Sequence, residues 1–121
     1  MKKRLFLLLV FSQIYSFGQN SKCEDFHIGN FLYSDPDFKS WKVSRTENTQ
    51  IETDSILGHK IEGAIKWISN CEYELTYTKI SDMNLQNVIG TKMRIKIVYI
   101  SDNKIVCQSD NKVKMEMVKI D

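Results

Sequence analysis

The chain has only one proline and five glycines among its 121 residues, too few for a collagen-like or low-complexity polypeptide. It also lacks a large excess of charge of one sign, because 17 Lys and Arg face 15 Asp and Glu, for a formal net charge of +2. Such a balance does not favour nucleic-acid binding. With 42% hydrophobic residues in a short chain, the composition predicts one small, ordered domain.

The longest apolar stretch of the chain is short and lies near the N terminus. Residues 2–4 are basic, residues 5–11 are apolar, and Ser16 and Gly18 form a small-x-small pattern. This layout is typical of a secretory signal peptide, and the apolar stretch is far below the roughly 20 residues of a transmembrane helix. We predict a signal peptide over residues 1–18, cleaved after Gly18, and one domain over 19–121. We therefore expect a periplasmic or secreted protein without a transmembrane span.

Apolar and polar residues alternate with a period of two through the rest of the chain, which indicates β-strands. One helix is predicted over residues 81–90, where Ser81 is a plausible N-cap and Gly90 suits the C-terminal end. The predicted strands are 27–33, 40–45, 49–53, 60–68, 72–78, 92–100, 104–107 and 112–120.

Odd-numbered positions carry most of the apolar strand residues, so we expect them to face inward. The three-residue loop 101–103 then places Ile97 opposite Cys107 and Tyr99 opposite Ile105, and loop 109–111 places Cys107 opposite Val113. Short connections indicate an antiparallel meander. We predict an all-β fold, a small up-and-down barrel or curled meander of about eight strands with one short helix between strands five and six. A two-sheet β-sandwich is the alternative. Seven inward aromatic rings favour a mostly filled interior over a lipocalin-sized cavity.

Three cysteines are an odd number for an exported chain, which favours one disulfide and one free thiol. In a meander, Cys23 and Cys71 both precede odd-numbered strands and so lie at the same end, whereas Cys107 ends strand seven. This placement favours a Cys23–Cys71 disulfide, with no disulfide as the alternative. We expect Cys107 to be a buried, inert thiol.

Several short motifs occur along the predicted strands and loops, namely Cys23-Glu24-Asp25-Phe26, Gly29-x-Phe31-x-Tyr33, Trp41-x-Val43-x-Arg45, Gln50-x-Glu52, Trp67-x-Ser69-x-Cys71-x-Tyr73-x-Leu75 and the loop from Ser81 to Gly90. Together they resemble a family of small exported proteins from Bacteroidetes. The family is similar in layout to lipocalin-like domains, and the resemblance implies no assigned activity. We expect some members to carry the name of DNA topoisomerase IV, which nothing in these residues supports.

Arg45 is the residue most indicative of a binding site, because it follows Trp41 and Val43 on the inward side of strand two. A buried guanidinium needs an anion or several acceptors. One interpretation is a ligand-binding site made by Arg45, Trp41 and the hydroxyls of Tyr77 and Tyr99. The other places Arg45 at the barrel rim, exposed or paired with Glu47 or Glu52.

Recognisable catalytic and metal-binding patterns are missing from the sequence. The two histidines, His27 and His59, form no metal-ligand spacing, and no nucleophile or phosphate-loop motif occurs. Glu52 and Asp54 have even parity and are expected to be solvated. We predict no metal and no cofactor.

These observations favour an exported, monomeric, non-enzymatic β-barrel that binds a small apolar or amphipathic ligand. An envelope protein-interaction or structural module is one alternative. A small hydrolase with a site not evident from the sequence is the other.

Overall fold

The chain forms a closed barrel of eight antiparallel strands in the computed structural model, which describes residues 22–121. The predicted signal peptide (1–18) lies outside the described residues. The strands are β1 (Gly29–Tyr33), β2 (Trp41–Arg45), β3 (Thr49–Asp54), β4 (Lys60–Ser69), β5 (Glu72–Ile80), β6 (Lys92–Ser101), β7 (Lys104–Ser109) and β8 (Lys114–Lys119). Each strand pairs with its sequence neighbours, and β8 closes the barrel against β1. The predicted all-β up-and-down barrel is confirmed, and closure leaves no unpaired sheet edge.

The two ends of the barrel differ. A 3-10 turn over Cys23–Phe26 covers the end where β1 begins, which we call the closed end. The predicted Cys23–Cys71 disulfide is present there, with a Cα–Cα distance of 5.1 Å, and Cys107 is free and buried as expected. Lys119 Nζ also donates to the Asp25 carbonyl at 2.6 Å. The connections that follow β1, β3, β5 and β7 all lie at the opposite end, which we call the open end.

The segment between β5 and β6 does not form the predicted α-helix over residues 81–90. It forms 3-10 turns over Met83–Val88, interrupted at Leu85 by a non-helical backbone. Asp82, rather than Ser81, is the N-cap, and its side chain accepts a hydrogen bond from the Asn84 N–H at 2.9 Å. A segment this short has too few hydrogen bonds to favour a regular α-helix.

The parity of β3 is opposite to that expected. Arg45 pairs with Gln50 and Val43 with Glu52, so four residues separate the first pair and even-numbered β3 side chains face inward. Gln50 and Asp54 are buried. The expectation that Glu52 and Asp54 are solvated charges was therefore wrong. Asp54 accepts the Ile56 N–H at 3.0 Å within the β3–β4 turn, and this bond lowers its pKa.

A bulge in β6 also changes the predicted register. Ile97 pairs with Cys107 as predicted, but the bulge at Val98 pairs Tyr99 with Val106 instead of Ile105. Tyr99 is consequently on the outer surface, 58% exposed. Cys107 pairs with Met115 rather than Val113, because the β7–β8 connection is longer than three residues. Val113 lies at the open end and is half exposed.

The core fills the closed half of the barrel. Its main cluster consists of Cys23, Phe26, Phe31, Val43, Ile97, Ile105, Cys107 and Met117. A second cluster of Ile65, Tyr73 and Leu75 packs beside it, with Trp67 and Ile95 in contact with both. Among residues 22–121, no helix has the length and apolar character needed to cross a membrane.

Candidate functional site

A cavity of about 240 Å³ occupies the barrel interior between this core and the open end. The expected filling of the interior by large side chains is therefore found in the closed half only. The lining consists of Tyr33, Arg45, Gln50, Glu52, Tyr73, Leu75, Tyr77, Met93, Ile95, Cys107, Ser109, Asn111, Val113, Met115 and Met117. This volume lies just below the usual range of small-molecule pockets, so it suits a small ligand or one end of a longer one.

Arg45 forms the floor of the cavity and is 3% exposed. Its guanidinium donates from Nε to Gln50 Oε1 at 2.9 Å and from Nη2 to the Tyr73 hydroxyl at 2.8 Å. Nη1 donates to the Phe26 carbonyl at 3.0 Å, which joins the floor to the 3-10 turn that covers the closed end. The Arg45 Cζ also lies 4.8 Å from the centre of the Phe31 ring. The alternative that placed Arg45 at the barrel rim was therefore wrong.

The charge of Arg45 is not paired with a carboxylate. No carboxylate oxygen of residues 22–121 lies within 4 Å of the guanidinium, although other ion pairs form on the surface. A guanidinium has five N–H donors, and three of them bond to Gln50, Phe26 and Tyr73. Each guanidinium nitrogen thus has one acceptor, and two further N–H donors of this buried cation have none among residues 22–121, which is a favourable arrangement for an anion or a strong acceptor on a ligand.

Glu52 forms a polar side of the cavity together with Tyr33. The Tyr33 hydroxyl donates to Glu52 Oε1 at 2.5 Å. Burial raises the pKa of Glu52, while the Tyr33 bond and the positive charge of Arg45 oppose that shift. Burial and the nearby Glu52 charge also raise the pKa of Tyr33, so its hydroxyl stays protonated and keeps donating. When Glu52 is protonated, Arg45 is the charged side chain of the cavity lining among residues 22–121.

The remaining wall is apolar and extends from the floor toward the open end. Leu75 pairs with Met93 and Tyr73 with Ile95, which places these side chains on adjacent strands. Met115 and Met117 line the opposite side, and their flexible thioethers adapt to ligands of different shape. The cavity thus has a cationic polar floor and an apolar wall.

Two of the four sequence-predicted binding residues line this cavity and two do not. Arg45 and Tyr77 are in the lining, and burial raises the pKa of Tyr77. Trp41 is half-buried at the start of β2 and is outside the lining. Tyr99 is outside it because the β6 bulge directs it to solvent.

Sequence reasoning missed Gln50 and Glu52 as site residues. The signal that reveals them is the even number of residues between Arg45 and Gln50. With this spacing, odd-numbered side chains of β2 and even-numbered side chains of β3 face the same side of the sheet. Among residues 22–121, Glu52 is the one acidic residue in the lining.

The closed end has a wider surface depression of about 980 Å³, and Arg45 lines both this depression and the barrel cavity. His27 and Trp67 border it, with ring centroids 3.4 Å apart, and the His27 Nε2 lies 2.7 Å from the Asn70 carbonyl. The Trp67 Nε1 is buried and has no hydrogen-bond partner among residues 22–121. In the part of the chain that the structure describes, no three His, Cys, Asp or Glu side chains are grouped closely enough to hold a metal ion.

The fold and cavity define a closed eight-stranded antiparallel β-barrel with a partly hollow interior. No family model matches the chain, and no curated protein matches it. The barrel is similar to a crystal structure of an uncharacterized protein from Bacteroides eggerthii DSM 20697, with a TM-score of 0.54 and 13% sequence identity. The match covers 77% of this chain and 98% of that chain. This likeness concerns the fold alone, and the resemblance to lipocalin-like domains stays a prediction.

Proposed function

We propose that this protein is an exported, monomeric, non-enzymatic carrier that binds a small acidic amphiphile inside the barrel. The observation that carries the proposal is the buried Arg45 guanidinium at the floor, with two N–H donors that have no acceptor in the described part of the chain. A ligand carboxylate would accept these donors, and its apolar part would lie along Leu75, Met93 and Met115 toward the open end. Charge-assisted hydrogen bonds are about twice as strong as neutral ones.

The surroundings of Arg45 favour a reversible anion site over a permanent structural ion pair. The positive charge of Arg45 is close enough to lower the pKa of Glu52, but the two side chains form no ion pair, and burial, the larger effect, raises the Glu52 pKa. Binding of an anion beside Glu52 should therefore be coupled to proton uptake by that carboxyl. Affinity for an anion that does not itself titrate, such as octanesulfonate, should rise as the pH falls through the Glu52 pKa. The Glu52→Gln variant should lose this dependence.

The test is a calorimetric titration of octanoate and octanesulfonate into the wild-type protein and Arg45→Met. Removal of the guanidinium should weaken binding at least about tenfold, since a hydrogen bond to a charged group contributes about 1.5–3 kcal/mol. Arg94→Met is the matched control, because Arg94 is the other arginine of the described residues and its exposed side chain lies 3.9 Å from Glu72 on the outer surface.

A second variant keeps the proposal testable if Arg45→Met does not fold. Met93→Trp places a larger side chain in the cavity while leaving Arg45 in place, and it should also abolish binding. No binding of either amphiphile by the wild-type protein, or equal binding by all variants, would refute the proposal.

A further inference from the structure

The sulfur-containing side chains of the barrel are concentrated in the lining of the cavity. Residues 22–121 contain four methionines, and three of them, Met93, Met115 and Met117, line the cavity. The fourth, Met83, lies in the connection between β5 and β6 and is 80% exposed. Cys107, the free cysteine of these residues, lines the same cavity. One thiol and three thioethers therefore border a single cavity of about 240 Å³.

Strand register brings three of these four side chains together. Cys107 on β7 pairs with Met115 on β8, and cross-strand partners of this kind have Cβ atoms about 4.5–5.5 Å apart. Met117 follows Met115 by two residues, so it faces the same side of the sheet about 7 Å further along β8. Cys107 and Met117 are buried in the core, where the core borders the cavity, and Met115 is partly buried. We call Cys107, Met115 and Met117 the sulfur set.

Met93 belongs to the cavity lining but not to the sulfur set. The β6 residue that pairs with Cys107 is Ile97, and Met93 precedes Ile97 by four residues. Four residues of a strand span about 13 Å. Met93 pairs instead with Leu75, nearer the open end of the barrel. It is therefore a methionine of the same cavity that lies away from the sulfur set.

The chemistry of the sulfur set matches a soft metal ion. Methionine is unbranched and has three rotatable bonds, so the thioethers of Met115 and Met117 can turn toward the Cys107 thiol. Thiolate and thioether sulfurs select Cu(I), whereas carboxylates, carbonyls and water suit Mg²⁺, Ca²⁺ and Mn²⁺. The sequence prediction of no metal considered His, Cys and carboxylate spacings. Thioethers from β8 join Cys107 only in the folded barrel, so those spacings do not reveal the set.

We propose that the sulfur set binds one Cu(I) ion inside the barrel, with the Cys107 thiolate and the Met115 and Met117 thioethers as ligands. The ion replaces the thiol proton: the S–H bond breaks, an S–Cu bond forms, and the proton passes to solvent. The total charge of the lining, which includes Arg45 and Glu52, is unchanged, because one monovalent cation replaces another. The inference does not rest on the proposed carboxylate site, since Arg45 is not a ligand of the ion.

The experiment is an anaerobic titration of Cu(I) into the exported, processed protein in competition with the chelator bicinchoninate. The wild type should retain one Cu(I) per chain and release one proton for each ion bound. Cys107→Ala and Met115→Leu/Met117→Leu should each bind at least about tenfold more weakly, because even residues that only orient metal ligands change metal affinity about tenfold or more when removed. Met83→Leu and Met93→Leu are the matched controls, and both should bind as the wild type does.

X-ray absorption of the copper-loaded protein gives a second readout that does not depend on affinity. The wild type should show three sulfur atoms around the ion, and Met115→Leu, which keeps the side-chain volume, should lose one of them. No retention of Cu(I) by the wild type would overturn the inference. Equal affinity in the wild type and Met115→Leu/Met117→Leu would also overturn it, because the thiol alone would then hold the ion. So would Zn²⁺ binding as tight as that of Cu(I), since Zn²⁺ takes thiolate, imidazole and carboxylate ligands.

Discussion

Loss of the Cys23–Cys71 disulfide should strongly reduce the stability of the barrel. The two cysteines are 48 residues apart in sequence, and closing a loop of that length lowers the entropy of the unfolded chain by an amount worth about 4 kcal/mol at 25 °C. Small domains have free energies of unfolding of about 5–15 kcal/mol, so this is a large fraction. The 3-10 turn should nevertheless stay in place, because Phe26 is 2% exposed and its carbonyl accepts from Arg45.

The assay is urea denaturation of the oxidised wild type, the reduced wild type and Cys23→Ser/Cys71→Ser. The last two should unfold alike, with a free energy of unfolding about 3–4 kcal/mol below that of the oxidised protein. Cys107→Ala is the control, since Cys107 is free and reductant should still destabilise that variant. A loss below about 1 kcal/mol would refute the claim that this bond constrains the unfolded chain.

Three further outcomes are expected. Trp67→Ala should reduce the free energy of unfolding by about 3 kcal/mol, because Trp67 packs between the rings of His27 and Tyr73, and a loss below about 1 kcal/mol would contradict that packing. Burial raises the pKa of Glu52 in the folded protein above its ordinary value of 4.5. The wild-type free energy of unfolding should therefore fall as the pH rises from about 4.5 through that higher pKa, and Glu52→Gln should flatten this dependence. A parallel dependence in both proteins would show that Glu52 is not its source. Mass spectrometry of the exported protein should find Gln19 as the first residue, and retention of residues 1–18 would contradict the predicted signal peptide.

Much of the fold can be predicted from the short-range alternation of apolar and polar residues. Alternation located all eight strands, and most bounds differ from the structure by one or two residues, as in β5 and β7. Chain direction in a meander also placed Cys23 and Cys71 at one end, where they form the disulfide. These features depend on local composition and on the order of strands, both of which a single sequence contains.

The errors concern features that depend on single-residue shifts. One extra residue in a turn or bulge moves every following side chain to the other face of the sheet. The four-residue spacing after Arg45 brought Glu52 inside, and the bulge at Val98 moved Tyr99 outside. Because tertiary pairing selects such bulges, alternation alone did not reveal them. The candidate site was thus predicted at Arg45 and Tyr77 but not at Glu52.

The most direct test of the central claim is a crystal structure of the protein with bound octanoate. We expect the carboxylate to lie within hydrogen-bond distance of the Arg45 guanidinium, with the alkyl chain along Met93 and Met115 toward the open end. Octanoate found only outside the barrel, or an interior in which side chains fill the space above Arg45, would contradict it.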